Sequence, residues 1–180
     1  ARRLRHQLEA MNAVPDPASV AAAWPHLAHA DHSIRYAARL AVERNPLEEW
    51  RDKALQEKRP DAAFTALLAL ARVGGSDVQP SIFKALTAFP FSELTGDQVL
   101  HKLRVMTVSV ARHGVPSGAV AAAAVADLDP LYPAATEEVN RELCSLLLAL
   151  NAPAAVSRTV ALMRAAATQE EQVTYAIALR

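Results

Sequence analysis

Three histidines recur at intervals of three, His26, His29 and His32, and Asp31 stands beside the last. Imidazole nitrogens joined by a carboxylate oxygen are a ligand set for zinc or nickel. His26 and His29 share a face if one helix runs through both, whereas His32 lies beyond a turn. The spacing matches no strong zinc signature. The expectation is three exposed histidines at an inter-helix turn, with His26, His29 and His32 as weak metal candidates and no cofactor.

Nucleophilic chemistry needs a hydroxyl or thiol beside a base. Cys144 is the only cysteine; it sits in an apolar helical stretch with no histidine near it in sequence, as a small buried hydrophobe would. Ser109 and His113 form an i,i+4 pair and no more. Nothing resembles a nucleophile elbow. Gly74-Gly75 runs into Ser76-Asp77 without the lysine of a phosphate loop, so Gly74 reads as a helix C-cap. No residue is assigned a catalytic role, and the expectation is that the chain is not an enzyme.

Arginines offer a different chemistry. Arg35, Arg39, Arg72, Arg104 and Arg141 recur in successive helical segments. On one face they would form a ladder suited to a carboxylate or a phosphate, because the guanidinium fork matches both. They could instead bridge repeats through salt links such as Arg39 with Glu43 or Arg141 with Glu138. Tyr132, in the loop Asp129–Pro133 (DPLYP), is expected to be exposed and able to anchor a partner. Trp24, Trp50 and Tyr36 are expected to pack in the core or between repeats.

The elements that must position these residues are helices. Of 180 residues, 39 are Ala and 52% are hydrophobic, and alanine is the strongest helix former. No alternating strand pattern and no Asn-Gly or Asp-Gly hairpin turn appears. A unit of two helices separated by a Pro or Gly break recurs about every 35–45 residues. Its second helices align as Asp31–Arg44, Pro60–Val73, Gly96–His113, Thr136–Asn151 and Gln169–Arg180. Apolar stripes place Val20, Ala23, Trp24 and Leu27, then Ile34, Ala37, Ala38 and Ala41, then Phe64, Leu67, Leu68 and Ala71 inward. Pro25 should kink or shorten the helix that begins at Pro17. About eleven helices on short loops predict an all-α, right-handed superhelix of about five stacked antiparallel pairs, read as one domain over residues 1–180.

The formal net charge is zero, which disfavours a surface dedicated to nucleic acid. The basic stretch Ala1–His6 is too short to alter that. No run of 18 apolar residues could cross a membrane. The chain opens on Ala within helical sequence and closes at Leu179-Arg180 with an apolar stripe still running. It therefore reads as a piece of a longer protein, and end-to-end association through uncapped apolar ends is expected.

This pattern resembles HEAT repeats. First helices tend to begin at Pro17, Pro46, Pro80, Pro116 and Pro153, and acidic residues open second helices at Asp31, Asp61 and Asp97. Ile34–Arg39 (IRYAAR) continuing to Glu43, Val139–Leu150 (VNRELCSLLLAL) and Thr168–Arg180 (TQEEQVTYAIALR) resemble the helical-repeat segment of large secreted bacterial multidomain proteins. Those proteins join a propeller-type, dehydrogenase-like region to a c-type cytochrome domain. The resemblance implies a spacer or docking module between redox domains, in a periplasmic or extracellular setting. This chain has no Cys-x-x-Cys-His, so no haem is expected here, and no His-Glu pair of the iron-binding helical-repeat hydroxylases. The leading expectation is a non-catalytic scaffold that binds a protein partner or neighbouring domains of its parent chain. The alternatives are a DNA-repair type of nucleic-acid-binding repeat protein and a lyase or helper for a prosthetic group.

Overall fold

A computed structural model describes all residues, 1–180. Eleven α-helices and five short 3-10 turns make up the chain, and there is no strand. No helix is long and apolar enough to cross a membrane. The chain gathers into two compact units, Ala1–Arg112 and His113–Arg180.

The first unit holds α1 (Arg2–Ala10), α2 (Pro17–Ala23), α3 (His32–Glu43), α4 (Arg51–Gln56), α5 (Pro60–Val73), α6 (Gln79–Leu86) and most of α7 (Gly96–His113). Local chemistry sets the ends. Asp16 caps α2 by accepting from the Ala18 N–H at 3.0 Å, and Pro17 occupies the first turn, where no donor is needed. Pro25 ends the α-helical pattern, and the chain tightens into a 3-10 turn over Trp24–Ala28. Asp31 caps α3 through the Ser33 and Ile34 N–H groups, at 2.8 and 3.4 Å. The same bonds hold the Asp31 carboxyl below its usual range.

The core follows the expected stripes except at Leu68, which is half-buried. Val20, Ala23, Trp24, Leu27, Ile34, Ala37, Ala38, Ala41, Phe64, Leu67 and Ala71 are all buried. Each large aliphatic or aromatic member contributes about 1.5–3 kcal/mol over its exposed state. The helix α3 packs on α1, α2 and α5, and the turn Trp24–Ala28 lies against both α3 and α5. Alanines let these backbones come close: α5 alone buries Ala62, Ala63, Ala66, Ala69 and Ala71.

Buried polar groups lock the loops. The Asn45 side chain accepts from the Asp16 N–H at 2.8 Å and donates to Ser19 Oγ and the Ala41 carbonyl, each at 2.8 Å. Trp24 Nε1–H donates to Glu57 at 2.8 Å. Arg59 binds the same carboxylate through two side-chain nitrogens. These bonds, Arg59 foremost, hold the Glu57 carboxyl at about 2. The helix α7 is tied to its neighbours by Lys102, which donates to the Phe89 carbonyl at 2.8 Å and lies over the Phe91 ring. Gln98 reaches Asp61 of α5 at 3.2 Å.

The second unit holds α8 (Gly118–Leu128), α9 (Glu137–Ala149), α10 (Ala155–Ala165) and α11 (Gln169–Ala178). Here α9 packs on α8, α10 and α11. Thr136 and Thr168 cap α9 and α11 through their hydroxyls. Leu128, Leu143, Leu147, Ala155 and Tyr175 form the core, and Cys144 is buried among them as expected.

The DPLYP loop departs from expectation. Tyr132 is 3% exposed, so it is a core residue and not an exposed anchor. Its hydroxyl shares a 2.8 Å hydrogen bond with Thr159 Oγ1, and Cys144 Sγ lies 3.5 Å from the same oxygen. Arg158 donates to the Asp129 and Tyr132 carbonyls at 2.9 and 2.6 Å and pairs with the Asp129 carboxylate. Asn140 binds both the N–H and the carbonyl of Ala134. The loop therefore folds back onto α9 and α10, held by bonds to the Asp129, Tyr132 and Ala134 peptide groups. The Tyr132–Pro133 peptide is cis.

Candidate functional site

Three helices of the first unit meet at a solvent-open cleft of about 80 Å³. The helix α3 contributes His32, Arg35, Tyr36 and Arg39; α5 contributes Phe64, Thr65 and Leu68; α7 contributes His101 and Arg104. The α3 residues stand at i, i+3, i+4 and i+7, the spacing that brings side chains to one helix face. His101 and Arg104 are three apart for the same reason.

Its floor is apolar. Phe64 is buried and packs edge-on against Phe89 at 5.2 Å. Leu68 is half-buried and lines the cleft. Its wall is aromatic and cationic. Tyr36 is 49% exposed, which corrects the expectation that it is a core residue. Its ring lies near parallel to His32, with centroids 6.5 Å apart, and carries the Arg39 guanidinium 5.1 Å from its centre. Such stacking steers a long side chain at small cost in freedom.

The arginines are held differently. Arg35 donates to the His29 and Ala30 carbonyls at 2.7 and 3.0 Å, closing the end of the preceding 3-10 turn. The Arg39 side chain is 12% exposed, and its Nε lies 3.2 Å from Glu43 Oε1. That contact is an ion pair without hydrogen-bond alignment, since Arg39 Nε has no hydrogen-bond partner. Glu43 takes its aligned bond from Arg72 of α5 at 3.1 Å. Burial lowers the Arg39 pKa, with Arg72 adding to the effect and Glu43 opposing it. Arg104 is exposed and makes no hydrogen bond or ion pair within the protein.

His101 completes the site and is absent from the residues singled out in sequence. It is half-buried, and burial first and Arg35 second lower its pKa, while Asp61 and Asp97 pull the other way. The signal that could have found it is its three-residue spacing from Arg104 on a helix whose neighbours already carried arginines.

The other candidates fall elsewhere. Arg72 stands at the edge of this face through Glu43. Arg141 is exposed on α9 of the second unit, and no ion pair joins it to Glu138. His26 and His29 face one another with ring centroids 6.3 Å apart, while His32 turns to Tyr36. No three His, Cys, Asp or Glu residues stand close enough to hold a metal ion together. Ser109 is fully buried, and its Oγ has no hydrogen-bond partner, so no base is aligned on it. Gly74 ends α5 as a C-cap, donating to the Leu70 carbonyl at 2.9 Å. Its φ of −72° is ordinary extended backbone, not the left-handed form.

No protein-family model, no curated protein and no solved structure matches this chain.

Proposed function

We propose that this chain is a non-catalytic protein-interaction module. In this reading its helices are HEAT-like pairs stacked as a right-handed solenoid, and α3, α5 and α7 are second helices that line the binding face. The observation that carries the reading is the cleft itself. Three arginines, two histidines and an exposed tyrosine converge over an apolar floor, with no hydroxyl or thiol held by a base. Charged and aromatic groups set on rigid helices are what a recognition surface requires. The resemblance to the helical segment of secreted redox proteins adds a setting, in which the module docks neighbouring domains of its parent chain.

The test is affinity capture with the isolated chain as bait, beside a variant carrying Arg39→Ala and Arg104→Ala. Zero-length cross-linking then maps the contact. A specific protein or parent-chain domain that cross-links to α3, α5 or α7, and is lost with the variant, supports the reading. Turnover of a substrate at the cleft, or a partner held equally well by both proteins and cross-linked elsewhere, overturns it.

A further inference from the structure

We infer that the α3–α5–α7 cleft recognises a carboxylate side chain, that of a glutamate within an acidic peptide segment, with Arg39 and Arg104 as its charge partners. This rests on the interaction-module reading and names what the site takes.

Charge comes first. Arg35, Arg39 and Arg104 line the cleft, and Arg72 adjoins it through Glu43. Glu43 is shared between Arg39 and Arg72, so one anion stands against two cations there. Arg35 is committed through one nitrogen to two carbonyls. Arg39 lines the cleft with its Nε buried against Glu43, and Arg104 has no partner inside the protein. The cleft thus presents one exposed cation, Arg104, that the fold leaves unpaired, beside Arg39, whose charge is only partly countered by the shared Glu43. A planar carboxylate matches a guanidinium fork and gains most where part of the water is excluded.

Size and shape come second. The cleft, with Phe64, Leu68 and Tyr36 along its apolar side, admits a carboxylate with its methylene stem. The apolar floor favours that stem, and the Tyr36 ring flanks it.

The donor set argues against phosphate. Phosphate sites draw on backbone N–H groups at helix starts. The start of α3 is the one that borders the cleft, and Asp31 already takes its Ser33 and Ile34 N–H groups. Asp61 and Asp97 lie close enough to act on His101, and they would oppose a dianion more than a single carboxylate.

The probe is the capped peptide acetyl-Ala-Leu-Glu-Phe-Ala-amide, titrated into the ¹⁵N-labelled chain and followed by amide and arginine Nε–H shifts. The comparators are the same peptide with Gln for Glu, and inorganic phosphate. We expect saturable shifts along His32–Arg39 and His101–Arg104 with the Glu peptide, and binding about tenfold weaker with the Gln peptide. Arg104→Gln should weaken the Glu peptide by a similar factor and leave the helical circular dichroism unchanged, because Arg104 is exposed. Tyr36→Ala, also at an exposed position, should weaken it severalfold. Equal binding of the Gln peptide, phosphate producing the same shifts at equal or lower concentration, or no shifts at millimolar peptide would each overturn the inference. If the module captures a partner that Arg104→Gln does not affect, the carboxylate pocket fails while the interaction reading stands.

Discussion

Arg72 of α5 reaches across to Glu43 of α3, Nε to Oε1 at 3.1 Å, and so ties together two helices that start 28 positions apart in the chain. Arg39 approaches the same oxygen at 3.2 Å from within α3. Burial nevertheless outweighs both arginines and raises the Glu43 pKa above the usual carboxylate range. This carboxylate is therefore part of a half-buried ionic cluster whose desolvation is incompletely offset.

Truncating Glu43 should expose that balance. Glu43→Ala leaves the 12%-exposed Arg39 side chain without its counter-ion, and should cost about 1–3 kcal/mol in urea unfolding. Because the folded pKa is raised, the contribution of protonated Glu43 is fully present below the ordinary glutamate value of 4.5 and is lost as pH rises through the folded value. Wild-type stability relative to Glu43→Gln should therefore improve as pH falls from neutral toward 4.5. A difference independent of pH would show that the carboxylate is not desolvated as described.

His101 should make stability fall on acidification. Its pKa is lowered from 6.5, so the unfolded chain takes up the proton first and stability declines as pH drops through 6.5. The groups that act on it are His32 and Arg35 of α3, Asp61 of α5 and Asp97 of α7. His101→Gln should flatten the pH dependence of the unfolding midpoint in that window. A bound carboxylate would raise the His101 pKa, so Glu-peptide affinity should rise as pH falls from 7 toward 6. Calorimetry in two buffers of different ionisation enthalpy would detect the proton uptake.

The Tyr132–Thr159 pair should behave as one unit. Tyr132→Phe removes a single buried hydrogen bond, at about 1 kcal/mol. Thr159→Val strands the buried Tyr132 hydroxyl and also removes the Thr159 oxygen that Cys144 Sγ approaches, and should cost about 1–3 kcal/mol. The double variant should lose less than the sum, since no orphaned hydroxyl remains. Strict additivity in denaturant unfolding would rule out the pairing. Burial also raises the phenol pKa of Tyr132, and that of Tyr175 to about 12, so both should resist ionisation in an alkaline titration of the native chain.

Gly74 is required for lack of room. A Cβ there would stand 2.7 Å from Val78 Cγ2 and 2.8 Å from the Leu70 carbonyl oxygen. Gly74→Ala should destabilise by about 1–3 kcal/mol. Adding Val78→Ala should restore only part of that, because the backbone oxygen remains. Full rescue would place the whole cost on the side-chain contact.

The helices were legible in the chain because their causes are local. Alanine content, apolar stripes, the Asp31 cap and the Pro25 break each act within a turn or two, and they left their marks at i+3 and i+4. The arginine stripe of α3 was legible for the same reason, down to the Arg39–Glu43 contact. What tertiary structure alone decided is which surfaces meet. Tyr36 and Tyr132 exchanged roles because exposure depends on residues far away in sequence: Tyr132 is enclosed by Arg158 and Thr159, 26 and 27 positions later, whereas Tyr36 has only its own helix's His32 and Arg39 against its ring and stays half exposed. His101 joined the site because α7 is tied to α5 by Gln98 and to the turn after α6 by Lys102. Periodicity gives each helix its face, and only long-range packing free energy determines which faces are covered and which remain open to a partner.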